Sequence, residues 1–381
     1  MALTDKLSAI GNAIRNKTGK TDLLTLDQMP TEIGAIETGG GGVEIPEEAL
    51  VISGNCNYRF ARGGWDWFIE CFGDKITTYN VTDAANMFYH SGIENIAFEI
   101  NFDPSFNSPM ANMFNGASKL KEVPKINGCK PEGLSYLFYG CYGLTKVPED
   151  IEDWFNWSYI ESQTSSYSCN TSNMFAYCYS LRSIPPGLFT HVNKSVGYSY
   201  SYFNSGFQSC CALDELTNLP IPYTATWTSN TFNNSFSNCS RLKNLTFAMP
   251  NGQPYVVNWK SQTIDLNSVC GYTNSVPNIV NYNSGITADK EVKDDATYQA
   301  LKDDPDWFTT NQIYSRYNHD SAVETINSLP DTSAYLATAG GTNTIKFRGK
   351  SGIATDGGAI NTLTEEEIAV ATAKGWTVTF A

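Results

Sequence analysis

Asn173-Met174-Phe175-Ala176-Tyr177-Cys178-Tyr179-Ser180-Leu181-Arg182-Ser183-Ile184-Pro185 is one of six copies of a phrase that decides the fold. Its skeleton is a phenylalanine, a small residue or cysteine three places on, and aliphatic residues three and six places beyond that. Phe88 leads Ser91, Ile93 and Ile96; Phe114 leads Ala117, Leu120 and Val123; Phe138 leads Cys141, Leu144 and Val147. Phe175 leads Cys178, Leu181 and Ile184; Phe207 leads Cys210, Leu213 and Leu216; Phe236 leads Cys239, Leu242 and Leu245. The phenylalanines recur every 24 to 37 residues, the length of one supersecondary unit in a repeat array. Such a unit exposes an apolar edge that only its neighbour covers, so the stack becomes an elongated surface rather than a cleft. That geometry predicts binding, not chemistry.

Outward from the array, the chain divides into five parts. Residues 1–38 read as a helical hairpin for attachment or assembly. Leu3, Leu7, Ile10 and Ile14 keep the four-three spacing of one helix seam, and Leu26, Met29, Ile33 and Ile36 form a second behind the capping box Thr25-Leu26-Asp27-Gln28. Two helices this short bury too little surface alone, so these eight residues are the expected assembly interface. The a/d spacing of the first seam permits a homo-oligomer such as a trimer, and an intramolecular hairpin would use the same side chains. Residues 39–43 are a glycine linker. Residues 44–84, with Trp65 and Trp67, read as the atypical N-terminal cap of the stack. The repeats occupy 85–281, with insertions at Glu152–Thr171, His191–Ser205 and Ile221–Thr231. Residues 282–381 alternate helix and strand: a helix at Ala322–Leu329, a strand at Thr344–Phe347, a helix opening at Thr364 with Glu367 as capping partner, and a strand at Trp376–Phe380 after Gly375.

Composition narrows the function classes. With 39 acidic and 25 basic residues the net charge is −14, which repels phosphate backbones and anionic headgroups and argues against a nucleic-acid partner. No stretch approaches the roughly 18 to 20 apolar residues that span a bilayer, and Met1–Lys20 lacks the apolar core of a signal peptide. The sequence therefore predicts neither Sec export nor membrane insertion. Leu329-Pro330-Asp331-Thr332-Ser333 lacks the closing glycine and hydrophobic tail of a wall-sorting signal and reads as a helix-ending turn. Of ten cysteines, four stand at the same repeat position where Ser91 and Ala117 stand elsewhere. That position asks for a small buried residue, so thiols rather than disulfides are expected.

Chemistry has few candidates. His90, His191 and His319 have no second histidine or cysteine at ligand spacing, and no CxxC pair exists. Gly39–Gly42 and Arg348-Gly349-Lys350-Ser351-Gly352 lack the phosphate-loop frame. The acidic run Asp289–Asp306 lacks EF-hand spacing and reads as a solvated segment. A glycosidase carboxylate pair carries no local signature, so glycan hydrolysis stays open as an alternative. Nothing in the sequence calls for a metal or a cofactor. The suggestive feature is aromatic: Trp154, Trp157, Tyr159, Tyr167, Tyr198, Tyr200, Tyr202, Tyr223 and Trp227 fall in or beside the insertions, among Ser and Asn. Such loops give rigid contact area with hydrogen-bonding tips, and these nine are the candidate ligand-binding residues. The alternating tyrosines 198, 200 and 202 also fit one face of a half-buried strand.

The repeat phrase, as in Asn112-Met113-Phe114 through Leu120 and Val123-Pro124, resembles the BspA-type leucine-rich repeats. Leu363-Thr364-Glu365-Glu366-Glu367-Ile368 to Lys374-Gly375-Trp376-Thr377-Val378 looks like the closing unit of such arrays in phage and prophage proteins. Leu3-Thr4-Asp5-Lys6-Leu7-Ser8-Ala9-Ile10 with Leu26-Asp27-Gln28-Met29-Pro30 resembles the attachment segment of tail, baseplate and fibre proteins from phages of Gram-positive and gut bacteria. The resemblance implies an α/β repeat fold, a leucine-rich-repeat-like (BspA-type) solenoid with an N-terminal helical hairpin. It implies a non-enzymatic virion protein, of tail fibre, baseplate or head-fibre type, that anchors to other virion proteins and meets a host cell-surface glycan or protein. A purely architectural head, collar or tail protein and a bacterial surface adhesin are the alternatives. The pattern departs from regularity in three places: the first unit is one residue short between Ser91 and Ile93, and the fifth and sixth lack the Met before Phe.

Overall fold

A computed structural model describes residues 10–15, 50–154, 171–185, 188, 203–220, 232–239, 242–248, 262–266, 317, 319–347 and 363–380. The strands are β1 (Val51–Asn55), β2 (Thr77–Asp83), β3 (Ile100–Asn101), β4 (Ser108–Pro109), β5 (Ile126–Asn127), β6 (Pro131–Glu132), β7 (Glu215–Pro220), β8 (Asn244–Ala248), β9 (Thr263–Asp265), β10 (Asn343–Phe347) and β11 (Trp376–Phe380). The helices are α1 (Asp66–Phe72), α2 (His319–Ser328), α3 (Ser333–Ala339) and α4 (Glu365–Ala373). Every pairing among the described strands is parallel, in small sheets ordered β1-β2, β3-β5, β4-β6, β7-β8 and β11-β10-β9, and none closes into a barrel. Parallel neighbours need a crossover of a dozen or more residues, and here a repeat unit supplies it.

The repeat phrase forms a compact turn whose backbone is the same each time. The residues two before and two after each phenylalanine take positive φ: Asn86 and His90 around Phe88, Asn112 and Gly116 around Phe114, Tyr136 and Gly140 around Phe138, Asn173 and Tyr177 around Phe175, Ser205 and Ser209 around Phe207, Asn234 and Asn238 around Phe236. Between these kinks the backbone N–H groups point at the next unit. Asn112, Phe114 and Gly116 donate to the carbonyls of Ser135, Leu137 and Tyr139; Tyr136, Phe138 and Gly140 donate to Ser172, Met174 and Ala176. The same three-bond pattern joins each of the other consecutive units. The phenylalanine rings stack face to face in register, Phe88–Phe114 at 5.4 Å, Phe114–Phe138 at 5.5 Å, Phe138–Phe175 at 5.4 Å, Phe175–Phe207 at 6.2 Å and Phe207–Phe236 at 6.1 Å. All six are fully buried, which stabilises by roughly 1.5–3 kcal/mol each.

Inside the expected cap lies another turn of the same kind. Tyr58 and Arg62 have positive φ around Phe60, whose ring stacks on Phe88 at 5.5 Å. Its N–H donates to Met87 as the ladder requires. The sequence pattern misses it because Gly63 stands at the cysteine position and α1 supplies Phe68 and Ile69 where aliphatic residues would follow. The short first spacing has a cause here too. Asp66, opening α1, accepts from Ser91 Oγ at 2.6 Å and from the Gly92 N–H at 2.7 Å, and a Cβ on Gly92 would lie 2.7 Å from Asp66 Oδ2. We expect Asp66→Ala to cost about 2–3 kcal/mol, because it orphans two donors of a charge-assisted pair of bonds; urea unfolding of the variant measures it.

The missing Met in the fifth and sixth units is compensated four residues before the phenylalanine. Phe203 and Phe232 stack on Phe207 and Phe236 at 6.0 Å each and on one another at 5.8 Å, where earlier units hold Met110 or Leu134. Volume lost at Gly206 and Ser235 is thus returned by a ring, the kind of exchange cores tolerate. The recurrent cysteines carry thiols, as expected, and each has a specific partner. Cys141, Cys178, Cys210 and Cys239 donate Sγ–H to the carbonyls of Phe114, Phe138, Phe175 and Phe207, at 3.0 to 3.1 Å. Burial holds all four thiols protonated, well above their ordinary pKa.

Toward the C-terminus, β10 pairs with both β9 and β11, and α2 docks on β8 through Thr325 Oγ1, which donates to Leu245, and Ser328 Oγ, which accepts from the Phe247 N–H. The capping box is complete: Thr364 accepts from the Glu367 N–H while Glu367 accepts from the Thr364 N–H. Leu329–Thr332 is the predicted turn, though a further helix, α3, follows it at once. Lys374 at the end of α4 donates Nζ to the carbonyls of Ile326 and Asn327, capping α2. Trp376 is buried with its Nε1 donating to Pro330 at 2.9 Å.

His319, at the other end of α2, lies 3.1 Å from Asp320 Oδ1 and 3.2 Å from Glu367 Oε2. The Asp320 carboxylate, opposed by partial desolvation and joined by Glu367, raises the imidazole above its ordinary pKa. Stability from a raised pKa is fully present below the unfolded value, about 6.5, and lost as pH climbs through the folded one. Melting temperature should therefore fall as pH rises above about 6.5, and His319→Gln should flatten that decline; differential scanning calorimetry across neutral pH checks both.

Candidate functional site: a tyrosine strip

The expected ligand-binding aromatics do not form a site within the described residues. Trp154 is a correction: at 1% exposure it belongs to the core, closing the 3₁₀ turn Ile151–Trp154, with its carbonyl accepting from the Cys129 N–H. A large ring at the boundary of an insertion is drawn inward because the adjoining unit needs an apolar cover. Trp157, Tyr159, Tyr167, Tyr198, Tyr200, Tyr202, Tyr223 and Trp227 lie outside the described residues, as do Leu3, Leu7, Leu26, Met29, Ile33 and Ile36, His191 and the acidic run 289–306. Ile10 and Ile14, expected at an assembly interface, sit in the helical segment 10–15 and are buried within the chain itself. These two side chains are therefore core residues and not presented to a partner.

The structure gathers a different set of aromatics. On the turn surface of the third and fourth units, Tyr136 lies 5.4 Å from Tyr139, and Tyr139 lies 5.2 Å from Tyr177 at an interplanar angle of 67°. Tyr177 lies 6.1 Å from Tyr179, which stacks on Tyr142 at 5.0 Å and 19°. The five rings thus form one unbroken strip across two units. Tyr179, 6% exposed, is its floor; Tyr136, 38% exposed, is its outer rim; Tyr139, Tyr142 and Tyr177 are half-buried. Burial, reinforced by Tyr177 and Tyr136, raises the Tyr139 phenol above its ordinary pKa, and burial raises Tyr179 as well. Both hydroxyls stay protonated at neutral pH, each able to donate and accept.

Two members of the strip stand where the backbone disfavours them. Tyr136 (φ 59°) and Tyr177 (φ 64°) occupy the left-handed positions that Asn, Ser or Gly fill in most other units. Asn and Gly enter this region readily, while a bulky side chain there is uncommon and strained.

Other surface features offer less. A cleft of about 300 Å³ is lined by Lys121, Glu122, Val123, Lys146, Pro148 and Glu149, with charges of both signs and no serine, cysteine or histidine. No group of three His, Cys, Asp or Glu among the described residues is arranged to hold a metal ion, and no described helix is long and apolar enough to cross a membrane. His90 packs beside Tyr89 at 4.3 Å, over Gly116.

No family model, curated protein or solved structure matches this chain. The strip was partly visible in Phe138-Tyr139-Gly140-Cys141-Tyr142 and Phe175-Ala176-Tyr177-Cys178-Tyr179, where tyrosines flank the repeat cysteine. The insertions carry a denser run of Tyr and Trp, so composition alone points to them rather than to the turns.

Proposed function

We infer that this chain is a non-enzymatic structural and recognition protein of a phage particle, held to other virion proteins by its N-terminal segment. Its body is read as a BspA-type leucine-rich-repeat solenoid that presents a surface to a host-cell glycan or protein. The tyrosine strip carries the recognition part of this reading: aromatic rings with hydroxyl tips, held at a fixed spacing by the stack beneath, form a preorganised contact surface. The stacked phenylalanines and the thiol-to-carbonyl bonds support the repeat architecture, and the resemblance of the N-terminal and C-terminal segments supports the virion setting. Fluorescently labelled full chain incubated with a panel of intact Gram-positive and gut bacteria tests it. Saturable binding to some cells and not others is expected; uniform absence of binding across the panel would remove the recognition role and leave an architectural one.

A further inference from the structure

We propose that the strip formed by Tyr136, Tyr139, Tyr177, Tyr179 and Tyr142 is a binding site for an uncharged glycan. This rests on the recognition reading above and names its site and ligand class. Three observations carry it.

The first is strain kept without structural need. Asn112 and Asn173, Gly116 and Gly140, Ser205 and Ser209 make the same left-handed turns in the same ladder, so the fold does not require tyrosine at 136 or 177. A non-glycine residue in this region costs about 1–2 kcal/mol, and Asn is the side chain that tolerates it best. Tyr136 and Tyr177 both belong to the one continuous ring cluster, whereas Tyr58, left-handed at the matching position beside Phe60, pairs edge-on with Tyr89 outside it.

The second is charge. Neither turn segment, Leu134–Leu144 or Thr171–Leu181, contains a charged residue, and the chain carries a net charge of −14. An anionic polymer would meet long-range repulsion with no local cation on the strip to offset it. An uncharged ligand meets ring faces and phenol hydroxyls, which match the C–H faces and hydroxyl edges of a sugar ring.

The third is size. One tyrosine buries on the order of 150–250 Å² when fully covered. The strip exposes only fractions of its rings, so it offers on the order of 300 Å², well short of the roughly 800 Å² per partner of a specific protein interface. A short oligosaccharide fits that area; a folded protein partner does not.

The test uses the full chain with neutral hexasaccharides of glucose, mannose, galactose and N-acetylglucosamine, and an oligogalacturonate as anionic control, titrated by isothermal calorimetry. We expect saturable binding of at least one neutral hexasaccharide and none of the anionic control. The double variant Tyr136→Asn, Tyr177→Asn should bind at least tenfold more weakly while its melting temperature stays equal or rises, since it restores the residue the other turns use. A structural role for the rings predicts the opposite pair: lower melting temperature and unchanged binding. If the double variant fails to fold, ring resonances of selectively labelled tyrosine in the unaltered protein decide, because unmoved resonances at saturating sugar overturn the site. Binding to intact bacteria by a chain that takes up no neutral hexasaccharide would likewise overturn the glycan site while leaving the recognition reading in place.

Discussion

Phe138→Ala should remove about 3–5 kcal/mol of stability. Phe138 has no exposed surface and lies between Phe114 at 5.5 Å and 6° and Phe175 at 5.4 Å and 13°. Truncation leaves a ring-sized cavity that neither neighbour can close, because each is pinned by its own ladder bonds to the adjoining unit. It also forfeits two ring pairs, worth roughly 0.5–1.5 kcal/mol each beyond the area buried. Phe138→Leu keeps most of the apolar volume and should lose about 1–2 kcal/mol. Phe106, 54% exposed and outside the stack, is the control: Phe106→Ala should change stability by less than about 0.5 kcal/mol. Urea unfolding followed by intrinsic fluorescence compares the three, and a Phe138→Ala loss no larger than that of Phe106→Ala would refute the stacked core.

Gly375→Ala is the second large effect, by a different mechanism. Gly375 turns the chain from α4 into β11 at φ +84°, and a Cβ there would sit 2.7 Å from Thr332 Oγ1, 2.8 Å from Leu336 Cδ1 and 3.2 Å from the Ser333 N. The threonine cannot yield freely, since its hydroxyl donates to Lys374 at 2.9 Å and accepts from Asn343 Nδ2 at 3.1 Å. Left-handed strain of about 1–2 kcal/mol and overpacking of about 1–3 kcal/mol combine to about 2–5 kcal/mol. Gly54→Ala isolates the first contribution, because Gly54 has φ +71° and nothing within 4 Å of its would-be Cβ. The difference between the two melting temperatures measures the crowding at Gly375; equal losses would show that conformation alone matters there.

Much of the fold was legible because it repeats. The positions of Phe88 to Phe236 and of the four cysteines named both the ring stack and the small buried site beside it, and Thr364 with Glu367 announced a capping box that is present on both sides. Phe60 was not legible as a stack member, since α1 replaces the aliphatic residues that usually follow. Nor were Phe203 and Phe232, whose role appears only when their rings fill the space vacated at Gly206 and Ser235. At the candidate site, Trp154 shows the limit of composition: an aromatic residue beside an insertion was as ready to cover the core as to face solvent.

By itself the sequence determined the period of the stack and the buried positions of the six repeated phrases, because a repeating apolar pattern states them outright, while Phe60, Phe203, Phe232 and Trp154 fall outside that pattern. Only the tertiary structure decided which side chains outside the repeat pattern meet. Tyr139 and Tyr177 are 38 positions apart in number and become neighbours at 5.2 Å because the parallel ladder sets Gly140 against Ala176. That register absorbs the whole insertion between the two units, so contact across it depends on backbone pairing and not on spacing. The left-handed φ at Tyr136 and Tyr177 is likewise imposed by the ladder on residues whose own preference runs the other way.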